Sequence, residues 1–192
     1  MKSPTYFWVQ LENSREDLEE LLEDLTRRMT RRGHMLHHRP DHVLLDELVA
    51  VREGKKWQRG VVVQAERGSI VTVALRDWGR LIIRPISEIY ILEDRFRELA
   101  WQAIPCGLAH IRPVGARLRW PRKTRELTRV LLERREGWMR IVGSIGDEAA
   151  IIALEPKRES EDEMSSLTDL LIGMGCAQHA DAKISPAIPG IL

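Results

Sequence analysis

A chain of 192 residues that is 43% hydrophobic and 31% charged has enough apolar material for a packed core, which excludes a disordered or low-complexity polypeptide. Its 30 Lys plus Arg balance 29 Asp plus Glu, and that length fits one large domain or two small ones. No apolar run approaches the roughly 20 residues that span a bilayer, and residues 1–10 lack the charged-then-apolar order of an export signal, so no membrane partner is expected. Cys106 and Cys176 stand far apart in apolar company and read as reduced core thiols of an intracellular protein. The near-neutral total hides two asymmetries. Residues 12–24 carry seven acids and one base, whereas 112–140 carry ten bases and three acids. The second block can attract phosphates or acidic partners, or can simply be a solvated face.

In chain order, Phe7-Trp8-Val9-Gln10-Leu11 has the aromatic and β-branched composition of a strand. Ser14 with Asp17 forms a capping-box pattern, and Leu18, Leu21, Leu22, Leu25 and Met29 follow at helical spacing. Acids in the first turns and Arg27, Arg28, Arg31 and Arg32 in the last suit the helix dipole, which predicts a helix over 14–32. Residues 33–42 read as a loop holding four of the six histidines. Pro40 breaks any helix that would align His38 with His42 as metal ligands, so no metal is expected. From Leu44 to Leu92 the texture changes to five short β-rich runs at 47–52, 58–65, 70–75, 80–84 and 88–92, punctuated by Gly54, Gly68, Gly79 and Pro85. Five such strands in about fifty residues imply a small bent antiparallel barrel.

A short helical or irregular connection follows at 96–101, then a strand at 103–111. A second helix is predicted over 123–136, with Leu127, Val130 and Leu131 as its buried stripe. Strands at 138–145 and 149–154 form a hairpin through Gly146-Asp147. Ser166 with Asp169 caps a third helix that Gly175 stops, and the tail beyond residue 180 carries Pro186, Pro189 and Gly190 and is expected to fray. Strands at the two chain ends would be left as open edges unless they pair with each other, which makes a second β-rich lobe with the barrel inserted in it.

Five short patterns in this order carry a family resemblance. They are Ser3-Pro4 with Phe7-Trp8-Val9-Gln10; Val49-Ala50 with Trp57-Gln58-Arg59-Gly60; Asp77-Trp78-Gly79-Arg80; Gln102 through Leu108 around Cys106; and the stretch from Leu167 to Gly175. Together they resemble the extended Tudor domain, a five-stranded Tudor barrel inserted into an OB-fold lobe like that of staphylococcal nuclease. The resemblance implies a mainly β fold with some α, a first lobe segment at 1–13, a long linker helix and loop at 14–42, the barrel at 43–93, the second lobe segment at 94–180 and a flexible tail at 181–192. It also implies a module of a larger piRNA-pathway protein, with a Piwi-class or other germ-granule protein as its partner, in cytoplasmic, perinuclear granules.

Members of that family surround a dimethylated arginine with four aromatic rings and an Asn, because ring faces attract a weakly hydrated cation. Position by position, those residues fall here on Arg52, Gln58, Leu75, Trp78 and Arg80, of which Trp78 alone is aromatic. A cation over a ring gains about 0.5 to 2 kcal/mol, so three missing rings remove several kcal/mol, and two arginines repel a guanidinium. The expectation is a peptide-binding scaffold that works without arginine methylation. The alternative is single-stranded RNA binding through Arg117, Arg119, Trp120, Arg122 and Lys123, which interleave bases with an indole. Catalysis is not expected: Asp41, Asp46 and Glu47 are the nearest acid group to a nuclease-like set, and no nucleophile pattern, phosphate-gripping loop or cofactor motif is present. The charged face of the first helix fits a monomer or a weak antiparallel dimer.

Overall fold

The computed structural model describes residues 3–37, 43–65, 70–115, 119–133, 135–146, 149–157 and 166–181. The chain forms two compact units, one from residues 9–103 and one from residues 1–8 together with 104 onward.

In the unit of residues 9–103, α1 (Arg15–Arg32) precedes a five-stranded antiparallel sheet of order β5-β4-β3-β2-β6. Its strands are β2 (Leu48–Glu53), β3 (Lys56–Ala65), β4 (Ile70–Leu75), β5 (Arg80–Pro85) and β6 (Ile89–Ile91). Gly54 and Gly79 take the positive φ of +61° that the β2–β3 and β4–β5 turns require, a conformation that suits a residue without Cβ. Alternation along the strands sends Val49, Val51, Val62, Val71, Val73, Leu75, Ile82 and Ile89 into one core. The helix is not a free linker. Leu18, Leu22, Leu25 and Met29, spaced to share one face, pack with Ala50, Trp57, Leu92 and Phe96 into a second core. Each such leucine contributes about 1.5 to 3 kcal/mol by leaving water. The capping box at its start is absent: a 3-10 turn over Glu12–Ser14 comes first, and the Ser14 hydroxyl donates to the Leu11 carbonyl.

The other unit is organised by a sheet of order β1-β7-β10-β9, where β1 is Phe7–Gln10, β7 Ala103–Leu108, β9 Gly137–Ile145 and β10 Ala149–Pro156. The N-terminal β1 is thus hydrogen-bonded to β7, the first strand after the barrel, and shares one sheet with β9 and β10. β7 and β10 run parallel, with Gly107 opposite Ile151. A Cβ on Gly107 would stand 2.7 Å from the Thr5 carbonyl oxygen, so only glycine lets the Ser3–Tyr6 turn approach this strand. The predicted strand over 103–111 is broken where His110 adopts φ +55°, and a two-residue β8 (Ile111–Arg112) turns away to pair with β11 (Gln178–His179).

The second helix, α2, spans Arg122–Leu132, and its buried residues are Thr124 and Thr128, not the expected aliphatic stripe; Val130 is exposed. Thr128 donates its hydroxyl to the Thr124 carbonyl at 2.8 Å, which satisfies the polar atom within the helix and lets its methyl face inward. α3 (Leu167–Gly173) follows its predicted cap: the Ser166 hydroxyl oxygen accepts from the Asp169 amide at 3.1 Å. Gly146 turns the β9–β10 hairpin at φ +56°, while Asp147 lies outside the described residues.

Candidate functional site

The β2–β3 and β4–β5 turns lie at the same end of a sequential antiparallel barrel, so they border one mouth. The register decides which side chains reach it. Gln58 stands opposite Val51 and Arg80 opposite Leu75, and Val51 and Leu75 both belong to the barrel core. Gln58, Leu75, Arg80 and, two residues beyond Val51, Glu53 therefore share the inward face at this end. Trp78 joins them from the β4–β5 turn. Arg52 does not. It stands opposite Trp57, on the outward face, where its guanidinium donates to the Gly54 carbonyl at 3.1 Å. The position facing Gln58 is occupied by Val51.

Two polar pairs span the mouth. The Trp78 indole N–H donates to the Gln58 side-chain carbonyl at 2.8 Å. Arg80 donates through both terminal nitrogens to the Glu53 carboxylate, one contact being 2.6 Å. This fork lowers the Glu53 pKa from 4.5, chiefly through the Arg80 hydrogen bonds, and raises that of Arg80. Sequence reasoning treats Arg80 as an uncompensated repelling charge and overlooks Glu53. The signal lies in the hairpin length, since a two-residue turn at Gly54-Lys55 puts Glu53 on the inner face. Leu75 is fully buried, Gln58 is 6% exposed and Trp78 38% exposed. Among the described residues the ring contacts are Tyr6–Trp8, His37–Tyr90 and Trp57–Tyr90, none of which involves Trp78.

Behind the mouth, Arg59 and Asp77 form a bidentate pair at 2.7 and 2.9 Å, each 1% exposed. Arg59 also donates to the carbonyls of Phe96, Leu99 and Ala100 and lies 4.6 Å from the Trp101 ring centroid, so all five of its N–H groups are used. Asp77 accepts in addition from the Gln102 amide, and its own carbonyl accepts from the Gln10 side chain. The Trp57–Gly60, Asp77–Arg80 and Phe7–Gln10 patterns thus meet at one buried knot that fixes the turn bearing Trp78.

The basic segment has a different arrangement. Arg117 lies outside the described residues, as do His38, Asp41 and His42. Arg119 and Lys123 are exposed. The Trp120 indole donates to the Thr5 hydroxyl at 2.9 Å, so its polar group is engaged, whereas Arg122 is exposed and pairs through Nε alone with Glu126 at 2.8 Å. Cys106 is buried and desolvation pushes its thiol up to about 12, whereas Cys176 is half-buried.

The sequence pattern of the Tudor domain family matches residues 1–110. The chain belongs to the Tudor domain family. It is 31% identical over 121 residues to human Tudor domain-containing protein 5, an alignment covering 58% of this chain and 12% of that protein, so the chain spans about one eighth of its relative. Among solved structures, the extended Tudor domain of Drosophila melanogaster Papi superposes with a TM-score of 0.84 at 19% identity, covering 94% of this chain and 95% of that one. That of human TDRD1, bound to a symmetrically dimethylated peptide, gives 0.80 at 21% identity, covering 94% and 86%. A variant of the Papi domain bound to an unmethylated Piwi N-terminal peptide gives 0.78 at 19% identity, covering 94% and 95%. The fold is that of an extended Tudor domain.

Proposed function

We propose that this extended Tudor domain is a non-catalytic interaction module of a piRNA-pathway protein, binding a peptide of a Piwi-class or other germ-granule partner independently of arginine methylation. The observation that carries the reading is the pair of hydrogen-bonded contacts across the barrel mouth. The Trp78 indole N–H is satisfied by the Gln58 carbonyl, and the Glu53–Arg80 pair leaves no net negative charge to draw in a guanidinium. A methylated arginine gains affinity from stacked ring faces, and one indole with aliphatic neighbours offers little of that. Affinity must then come from main-chain pairing and shape along the peptide, and a variant of the Papi domain in complex with an unmethylated Piwi N-terminal peptide supports binding without the mark. The module functions in cytoplasmic, perinuclear granules, as the partner class implies.

Isothermal titration with one Piwi N-terminal peptide, synthesised unmodified and with its arginine symmetrically dimethylated, tests the reading. Dissociation constants agreeing within about threefold are expected, less than 1.4 kcal/mol apart. A tenfold or larger preference for the methylated form contradicts it.

A further inference from the structure

The buried amide of Gln58 sets the ligand chemistry of the barrel mouth. An indole nitrogen can only donate, so the 2.8 Å contact from Trp78 forces the Gln58 carbonyl toward the ring and turns its NH2 group the other way. That nitrogen has no hydrogen-bond partner among the described residues, although the residue is only 6% exposed. It is also not among the sealed, unsatisfied polar atoms, so solvent touches it at the mouth. A nearly buried donor that solvent still touches, with its orientation set by the Trp78 contact, calls for an acceptor.

The surroundings name the acceptor's charge. Leaving aside the outward-facing Arg52, the turns that border the mouth, residues 53–56 and 76–80, carry Lys55, Lys56, Arg76 and Arg80 against Glu53 and Asp77. Asp77 is buried on Arg59, and Glu53 is paired with Arg80, so the surplus at the rim is positive. A carboxylate side chain supplies the acceptor that this amide lacks, and the half-exposed Trp78 indole stands beside it to meet the methylenes.

We propose that the mouth binds a glutamate or aspartate side chain of an acidic peptide, with Gln58 as the specificity-determining donor. The proposal rests on the reading of this domain as a peptide-binding module. It inverts the charge preference of a methylarginine cage while using the same end of the barrel.

The test is fluorescence anisotropy on the intact chain with three labelled octapeptides sharing a Gly-Ser frame around four central residues: all glutamate, all glutamine or all arginine. The glutamate peptide is expected to bind at least tenfold more tightly than the other two and to weaken severalfold between 50 and 300 mM salt. Gln58→Glu keeps the acceptor for Trp78 and loses the amide donors, and Gln58→Leu keeps the shape and loses both. Each is expected to weaken the glutamate peptide at least tenfold with a melting temperature within a few degrees of the parent. Glutamate binding that neither variant changes overturns the proposal, as does displacement of that peptide by an equimolar uridine octanucleotide. Tighter binding of the arginine peptide overturns it too, while leaving the module reading intact. Binding of none of the three octapeptides overturns the proposal, and the module reading then falls only if the Piwi peptides fail to bind as well.

Discussion

At the scale of single residues, the barrel mouth shows how one short turn redistributes charge. With only Gly54 and Lys55 between β2 and β3, Glu53 falls opposite Lys56 and one step inward of Arg52, where the Arg80 fork finds it. The Arg80 hydrogen bonds hold the Glu53 carboxyl below its ordinary 4.5. A depressed carboxylate contributes stability that is fully present above the ordinary value and is lost as pH falls through the lowered one. A 13C titration of the Glu53 carboxyl is therefore expected to have its midpoint below 4.5, and Arg80→Met to return it toward that value. A midpoint unchanged by the substitution would show that the fork is absent in solution.

At the scale of elements, the Arg59–Asp77 knot ties β3, the β4–β5 turn and the 96–102 segment together. Removing one partner of a buried pair strands the other charge, at a cost of about 3 to 5 kcal/mol. Arg59→Met is expected to lower the urea unfolding free energy by that amount, and the double change Arg59→Met with Asp77→Leu to recover part of it. A loss under about 1 kcal/mol in the single variant would mean that the pair does not hold the turn. The resemblance singled out Arg59, Asp77, Gln10 and Gln102, but that they meet was not legible in the sequence, since their pairing and the carbonyls of Phe96, Leu99 and Ala100 come together only in the fold. Helix α1 was legible, because four apolar residues at helical spacing admit one buried face. Helix α2 was misread because threonine counts as polar in a periodicity argument, yet Thr128 bonds inside its own helix and is fully buried. Strand register was the least legible feature. It depends on turn length, and one residue of shift exchanges Val51 for Arg52 at the mouth.

At the scale of the whole chain, the sheet β1-β7-β10-β9 gathers strands from both ends, and the barrel with its helix occupies the sequence between them. That order was expected from the need to pair open strand edges, and the superpositions on Papi and TDRD1 extended Tudor domains agree with it. Identities near 20% leave the fold intact while the mouth residues are free to change chemistry, which is why function has to be argued from the site. The account stands or falls on whether that mouth still accepts a methylated guanidinium. The direct measurement is the 1H–15N signal of the Trp78 indole during titration with free symmetric dimethylarginine. No saturable shift up to about 10 mM is the result this account predicts, because the indole N–H is held by Gln58 and no second ring among the described residues faces it. A saturable shift with a dissociation constant at or below about 1 mM, an affinity near 4 kcal/mol, would contradict it.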